Sequence, residues 1–221
     1  TVTTATTVRS ILTTRLGQEL SSLSRLVDTI DPAALLRCAE LLARPGARVH
    51  VLGERRGYAV AAHALRTLRW LGCDARMFHT EELGLRLALD QLGARHILVA
   101  FAFRRYAHMT GVVLRHARER GVAIILITDS LDYPFVAEAD ELLVCASTGN
   151  LLIDSSVPAV FCFEALCDLI IQRLGDRVER HVRRVHEQTR LADFDDSDQT
   201  AELLRPRRRR RGTSRHQSTA M

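Results

Sequence analysis

The runs "ILVAFAF" (97–103) and "VAIILIT" (122–128) are apolar at successive positions. A strand written this way is suited to coverage on both faces, the condition of central strands in a parallel sheet flanked by helices. The rest of the chain keeps to that scheme. Strand-like segments at 48–52, 75–78, 96–101, 122–127 and 141–145 alternate with helical patterns near 58–71, 81–91, 107–120 and 134–139. Such spacing favours parallel strands joined by crossover helices. The expected fold class is therefore α/β: a three-layer α/β/α sandwich around a five-stranded parallel sheet.

Punctuation supports the same division. Gly72, Gly93 and Gly121 fall where helices should end in a left-handed residue. Thr80 is placed to cap a helix opened by Glu81 and Glu82. Before the first strand, Leu12, Leu16, Leu20, Leu23 and Leu26 or Val27 stripe a helix over 11–30. Asp31 and Pro32 open a second helix, which runs to Leu42. A long helix is expected over 156–174. The organisation expected is linker and packing helices over 1–45, an α/β domain over 46–175, and a C-terminal helix extension with a charged tail over 176–221.

At 221 residues and 47% apolar, the chain can bury one good-sized core. Its net charge of +5 comes from the tail: Arg205, Arg207, Arg208, Arg209, Arg210, Arg211 and Arg215 carry seven charges, and +5 less seven leaves −2 for residues 1–204. A basic nucleic-acid-binding body is thereby excluded. The tail itself is expected to be disordered or loosely docked, either a solvated terminus or a minor nucleic-acid contact. Cys38, Cys73, Cys145, Cys162 and Cys167 show no CxxC spacing, and several lie in apolar runs. That pattern fits a reducing, cytoplasmic compartment and gives no metal site. No apolar run approaches membrane-spanning length, and no signal-peptide pattern opens the chain. No cofactor is expected; "VLGERRG" lacks the order of a dinucleotide fingerprint.

Twice a strand ends in Gly or Ala beside paired arginines, just before a helix: "GERRGY" at 53–58 and "AFRRY" at 102–106. In open parallel sheets, ligands bind at the carboxyl ends of strands, near the point where strand order reverses. Helix starts favour negative ligands, and arginines add charge-assisted hydrogen bonds to phosphate or carboxylate. The candidate anion site therefore comprises Gly53, Arg55, Arg56, Gly57, Ala102, Arg104 and Arg105. Thr110, Asp129, Ser130, Ser155 and Ser156 are added as further donors or partners. One arginine of each pair can face the pocket while the other pairs with Glu54 or Asp129. The alternative is that all four form surface or interface salt bridges.

"VHVLGERRGYAVAAHALRTLRWLG", "FAFRRYAHMTGVVLRHARERGVAIILITDSLDYPFVAEADELL" and "SSVPAVFCFEALCDLI" together resemble the sugar isomerase (SIS) domain, over about 20–175. The likeness is greatest to the C-terminal domain of RpiR/MurR-type transcriptional regulators. That resemblance implies a domain that senses a phosphorylated sugar, forms a homodimer or tetramer, and reaches DNA only through an N-terminal helix-turn-helix domain. No such pattern precedes residue 10, and the stripe at 11–30 resembles the linker helix that follows it. The natural protein is thus expected to extend further at its N-terminus. Two positions depart from the family: Gly57 replaces a usual hydroxyl residue, and Ala102 replaces a usual serine. A different anionic metabolite, or a dimerisation module with a vestigial pocket, is the alternative. An isomerase is a weaker one, with Glu164 and His108 as candidate catalytic groups. His63 and His116 are expected on helix surfaces, and Phe161, Leu166 or Leu169 near a homodimer interface.

Overall fold

The computed structural model describes residues 4–80, 89–147 and 154–191. Helix α1 (Ala5–Thr29) starts earlier than its leucine stripe suggests, because the Thr4 hydroxyl oxygen accepts the Thr7 N–H and caps it. Asp31 caps α2 (Pro32–Leu42) by accepting the Ala33 N–H at 2.9 Å. There follow β1 (Arg48–Gly53), α3 (Arg56–Trp70), β2 (Asp74–Met77), β3 (His96–Ala102), α4 (His108–Glu119), β4 (Ala123–Thr128) and β5 (Glu141–Val144). Helices α5 (Val157–Leu174) and α6 (Asp176–Leu191) complete the described chain.

The five strands are all parallel, in the order β2-β1-β3-β4-β5. Alternation reappears inside the uniformly apolar strands. Val49, Val51, Ile97, Val99, Phe101, Ile125 and Ile127 join the core formed with α2, α3 and α5. Leu52, Leu98, Ala100, Ala102, Ile124 and Leu126 join a second core with Val113, Leu114 and Ala117 of α4 and with Tyr133. Two apolar faces explain the absence of polar alternation. The result is the three-layer α/β/α sandwich expected from the strand pattern.

Several local expectations change. The helix expected over 134–139 is a single 3-10 turn, Val136–Glu138. The chain has no room to extend it, since Asp140 immediately turns in to accept the Ile124 N–H at the edge of β4. Gly72 and Gly121 are left-handed, at φ +83° and +68°, but Gly93 is not. Its carbonyl instead accepts the His96 N–H and leads directly into β3. Most of the helix expected over 81–91, the capping of it by Thr80, and the charged tail lie outside the described residues.

The five cysteines are free thiols, four of them buried and Cys73 half-buried. Burial pushes Cys38 and Cys167 up to about 12 and Cys73 up to about 11, so these are packing residues with little thiolate. Among the described residues, no group of three or more His, Cys, Asp or Glu could hold a metal, and no helix is long and apolar enough to cross a membrane.

Neighbouring strands β1 and β3 place His50 and His96 side by side, with ring nitrogens 3.2 Å apart. Burial, then the adjacent His96, then Arg76 push His50 down to about 4, from an ordinary 6.5. Burial and Arg48 also lower His96. Between these values the unfolded chain binds more protons than the folded one. Stability is therefore full above about pH 6.5 and falls as the pH drops toward 4. Because both rings are half-exposed, the loss is expected to be about 1–2 kcal/mol. Urea midpoints measured across that range should fall in the parent and flatten in His50→Leu; an unchanged slope in the variant would refute the assignment.

Candidate functional site

The sheet's strand order reverses between β1 and β3, and both paired-arginine loops leave the sheet there. The first loop is a tight turn. Gly57 donates its N–H to the Glu54 carbonyl at 2.8 Å, and Arg55 between them sits at φ 51°, ψ −121°. These are the angles of the first central residue of a type II′ turn, where glycine is normal. Holding an arginine there costs about 1–3 kcal/mol. Arg105, in the second loop, is also at positive φ, +60°.

Gly53 and Gly57 are required for a different reason. A Cβ on Gly57 would lie less than 3.0 Å from the Phe101 carbonyl oxygen, and one on Gly53 would meet the Gly57 carbonyl and Ala61. Backbone therefore packs on backbone where α3 leaves β1 and passes β3. Position 57 points into the sheet, so no hydroxyl group could be supplied to a ligand from it. Ala102, the last residue of β3, is likewise buried.

The two arginine pairs separate by role. Arg55 lines a hollow of about 480 Å³ together with Gly53, Glu54, Tyr58, residues 77–80, Ala107, His108 and Met109. Arg56 points elsewhere. It pairs with Asp129 at 3.0 Å and with Asp154 at 2.9 Å, and its guanidinium lies 5.0 Å from the Phe103 ring centroid. Asp129 is almost fully buried and gathers three loops. It accepts the Arg104 backbone N–H on both oxygens at 3.1 Å and the Tyr106 hydroxyl at 3.1 Å. The Arg104 side chain approaches it at 3.6 Å but stays 61% exposed. Burial, reinforced by the charge of Asp129, pushes the Tyr106 phenol up to about 12.

The remaining candidates are scattered. Thr110 is buried on α4 and donates to Glu54 at 2.9 Å. Ser130 exchanges hydrogen bonds with Asp132 in a local turn. Ser155 accepts the Val157 N–H at the start of α5, where Ser156 is the capping residue. Ser155 and Ser156 line a separate hollow of about 410 Å³ with Arg15, Asp154, Phe161 and Glu164. Glu164 contacts His63 at 3.3 Å there, whereas His108 lines the arginine hollow. Leu166 is buried in the chain's own core, which removes it from any interface, while Phe161 is exposed. His63 and His116 are half-buried on their helices.

Glu54 is the site residue that sequence reasoning passed over, treating it only as a salt-bridge partner. It lines the hollow and accepts hydroxyl hydrogen bonds from Thr80 at 2.7 Å and Thr110 at 2.9 Å. Its position directly after Gly53, at the carboxyl end of β1, was the available signal.

The SIS domain family matches residues 41–166. The chain belongs to the SIS domain family. Its fold matches the sugar isomerase domain of an RpiR transcription factor from Sphaerobacter thermophilus, at TM-score 0.74 and 26% identity, over 78% of this chain and 96% of that one. It also matches the NanR protein of Vibrio vulnificus, complexed with ManNAc-6P, at TM-score 0.73 and 17% identity, over 85% and 70% of the two chains. An E. coli CFT073 protein in complex with A5P is similar at TM-score 0.69 and 13% identity, over 83% of this chain and 99% of that one. No curated protein matches the sequence. This SIS domain is related in fold to RpiR and NanR regulators.

Proposed function

We propose that this SIS domain is the effector-sensing and oligomerisation module of an RpiR-type transcriptional regulator, and that its effector is a phosphorylated sugar or another small anionic metabolite. One observation carries the reading: at the switch point of the sheet, Arg55 is kept in a strained turn on the wall of a hollow that receives the start of α4. Helix α4 begins at His108 without a side-chain cap, so its first N–H groups favour a negative group there. Its likeness to an RpiR domain supports the regulatory setting.

A homodimer is supported by Val8, Leu12, Leu16, Leu20 and Val27, which leave an apolar stripe exposed along α1. An effector that prefers one disposition of the two subunits would then bias attached DNA-binding domains. Light scattering should report dimers.

A thermal-shift series with phosphorylated and carboxylated metabolites tests the sensor. Saturable stabilisation is expected from at least one, and Arg55→Ala should weaken it about tenfold or more through the loss of a charge-assisted contact. Arg104→Ala should matter less, because that side chain already leans on Asp129. Absence of stabilisation across the series would favour the second reading, a dimerisation module with a vestigial pocket. The closure of Arg56 by Asp129 and Asp154 is the observation on that side. The candidate isomerase groups Glu164 and His108 line different hollows and so do not form one acid–base pair.

A further inference from the structure

We infer that Glu54 is the specificity-determining residue of the arginine hollow, and that among small anions it selects those carrying a protonated amine. The inference rests on the effector reading of that hollow. Of the four paired arginines, Arg55 alone is among the residues lining it, and Glu54 stands next to Arg55 in the chain and in the wall. A ligand bearing only negative charge therefore meets one guanidinium and one carboxylate. A ligand with both signs can satisfy each.

Glu54 is prepared for that role. Thr80 donates to Oε1 at 2.7 Å and Thr110 to Oε2 at 2.9 Å, which fixes the carboxylate plane before any ligand arrives. Each oxygen retains a further acceptor position. An ammonium group brings three donors and a full charge, whereas a hydroxyl brings one donor and none.

The charge of Glu54 is also felt in the core beside it. Tyr133 is 1% exposed, with its ring tilted at 37° against that of Tyr106, and its hydroxyl has no hydrogen-bond partner among the described residues. Burial, Tyr106 and the charge of Glu54 all raise its phenol, so it remains protonated and within the electrostatic reach of that carboxylate.

A purely structural Glu54, tying the loop after β2 to α4, would need only an acceptor for two threonine hydroxyls. Glutamine retains part of that capacity without charge. The distinction is open to calorimetry with glucosamine 6-phosphate, glucose 6-phosphate and N-acetylglucosamine 6-phosphate, which differ at one carbon in amine, hydroxyl and uncharged amide. The parent should favour the free amine about tenfold over either of the others. In Glu54→Gln the preference should shrink to about twofold or less, with the hydroxyl sugar bound at least as well as before. Equal binding by the parent, or a preference that survives Glu54→Gln, overturns the inference while leaving an anion sensor intact. If none of the three sugars binds, the inference fails, and the wider metabolite series decides separately whether the hollow is a sensor. Should Glu54→Gln not fold, the lack of an amine preference in the parent still overturns the inference.

Discussion

Asp129→Ala is expected to lower the stability of this domain by about 3 kcal/mol, since removing one member of a buried ion pair leaves the other without compensation. Asp129 directly follows β4 and accepts both the Arg104 N–H and the Tyr106 hydroxyl. It also takes one half of Arg56, whose side chain is 25% exposed. The effect is kept near the lower end of the range for buried pairs because Asp154 still holds the other half. Asp129→Asn should cost less, as its amide oxygen can accept from Arg104 or Tyr106. In that variant the Tyr106 phenol should titrate lower, having lost the neighbouring charge. Urea denaturation and the ultraviolet titration of tyrosine read the two effects. A change in stability below about 0.5 kcal/mol in Asp129→Ala would show that the three loops hold together without it.

Gly57→Ser should be at least as damaging, about 3 kcal/mol or more, or loss of soluble folded protein. The added Cβ would collide with the carbonyl of Phe101, an atom fixed in a central strand rather than the end of a flexible side chain. The substitution would introduce the hydroxyl residue that the resemblance to the family implies at this position, so its outcome is informative. A tolerated serine, with a normal denaturation midpoint, would mean that α3 can move away from β3 and that position 57 can face the ligand.

The sheet was legible because consecutive apolar residues have a single structural meaning when helices alternate with them: coverage on two sides. Strand limits shifted by a residue at several ends, and the turn at 136–138 was mistaken for a helix because an apolar cluster beside a proline does not reveal how soon the chain must re-enter the sheet. Strand ends followed by helix starts put both arginine loops at the switch point, but the hollow there takes Arg55 from the first loop and only Ala107, His108 and Met109 from beyond the second, while Arg56 and Arg104 lie against Asp129. That partition of the arginines was not legible. Adjacent side chains diverge according to backbone angles, and nothing in "ERRG" announces that the first arginine occupies a glycine-like turn while the second begins a helix. The serines fall outside the arginine hollow, and the hydroxyls of Ser130 and Ser155 accept from their own local backbone, a use that any serine near a turn or helix start can adopt.

The unusual geometry at Arg55 has a consequence for how such chains diverge. Folding alone would be improved by a glycine there, which relaxes the turn and deletes nothing from either core. Random substitution should thus erode that arginine quickly in any lineage freed from binding. Its retention across related chains is therefore the expected signature of selection for binding.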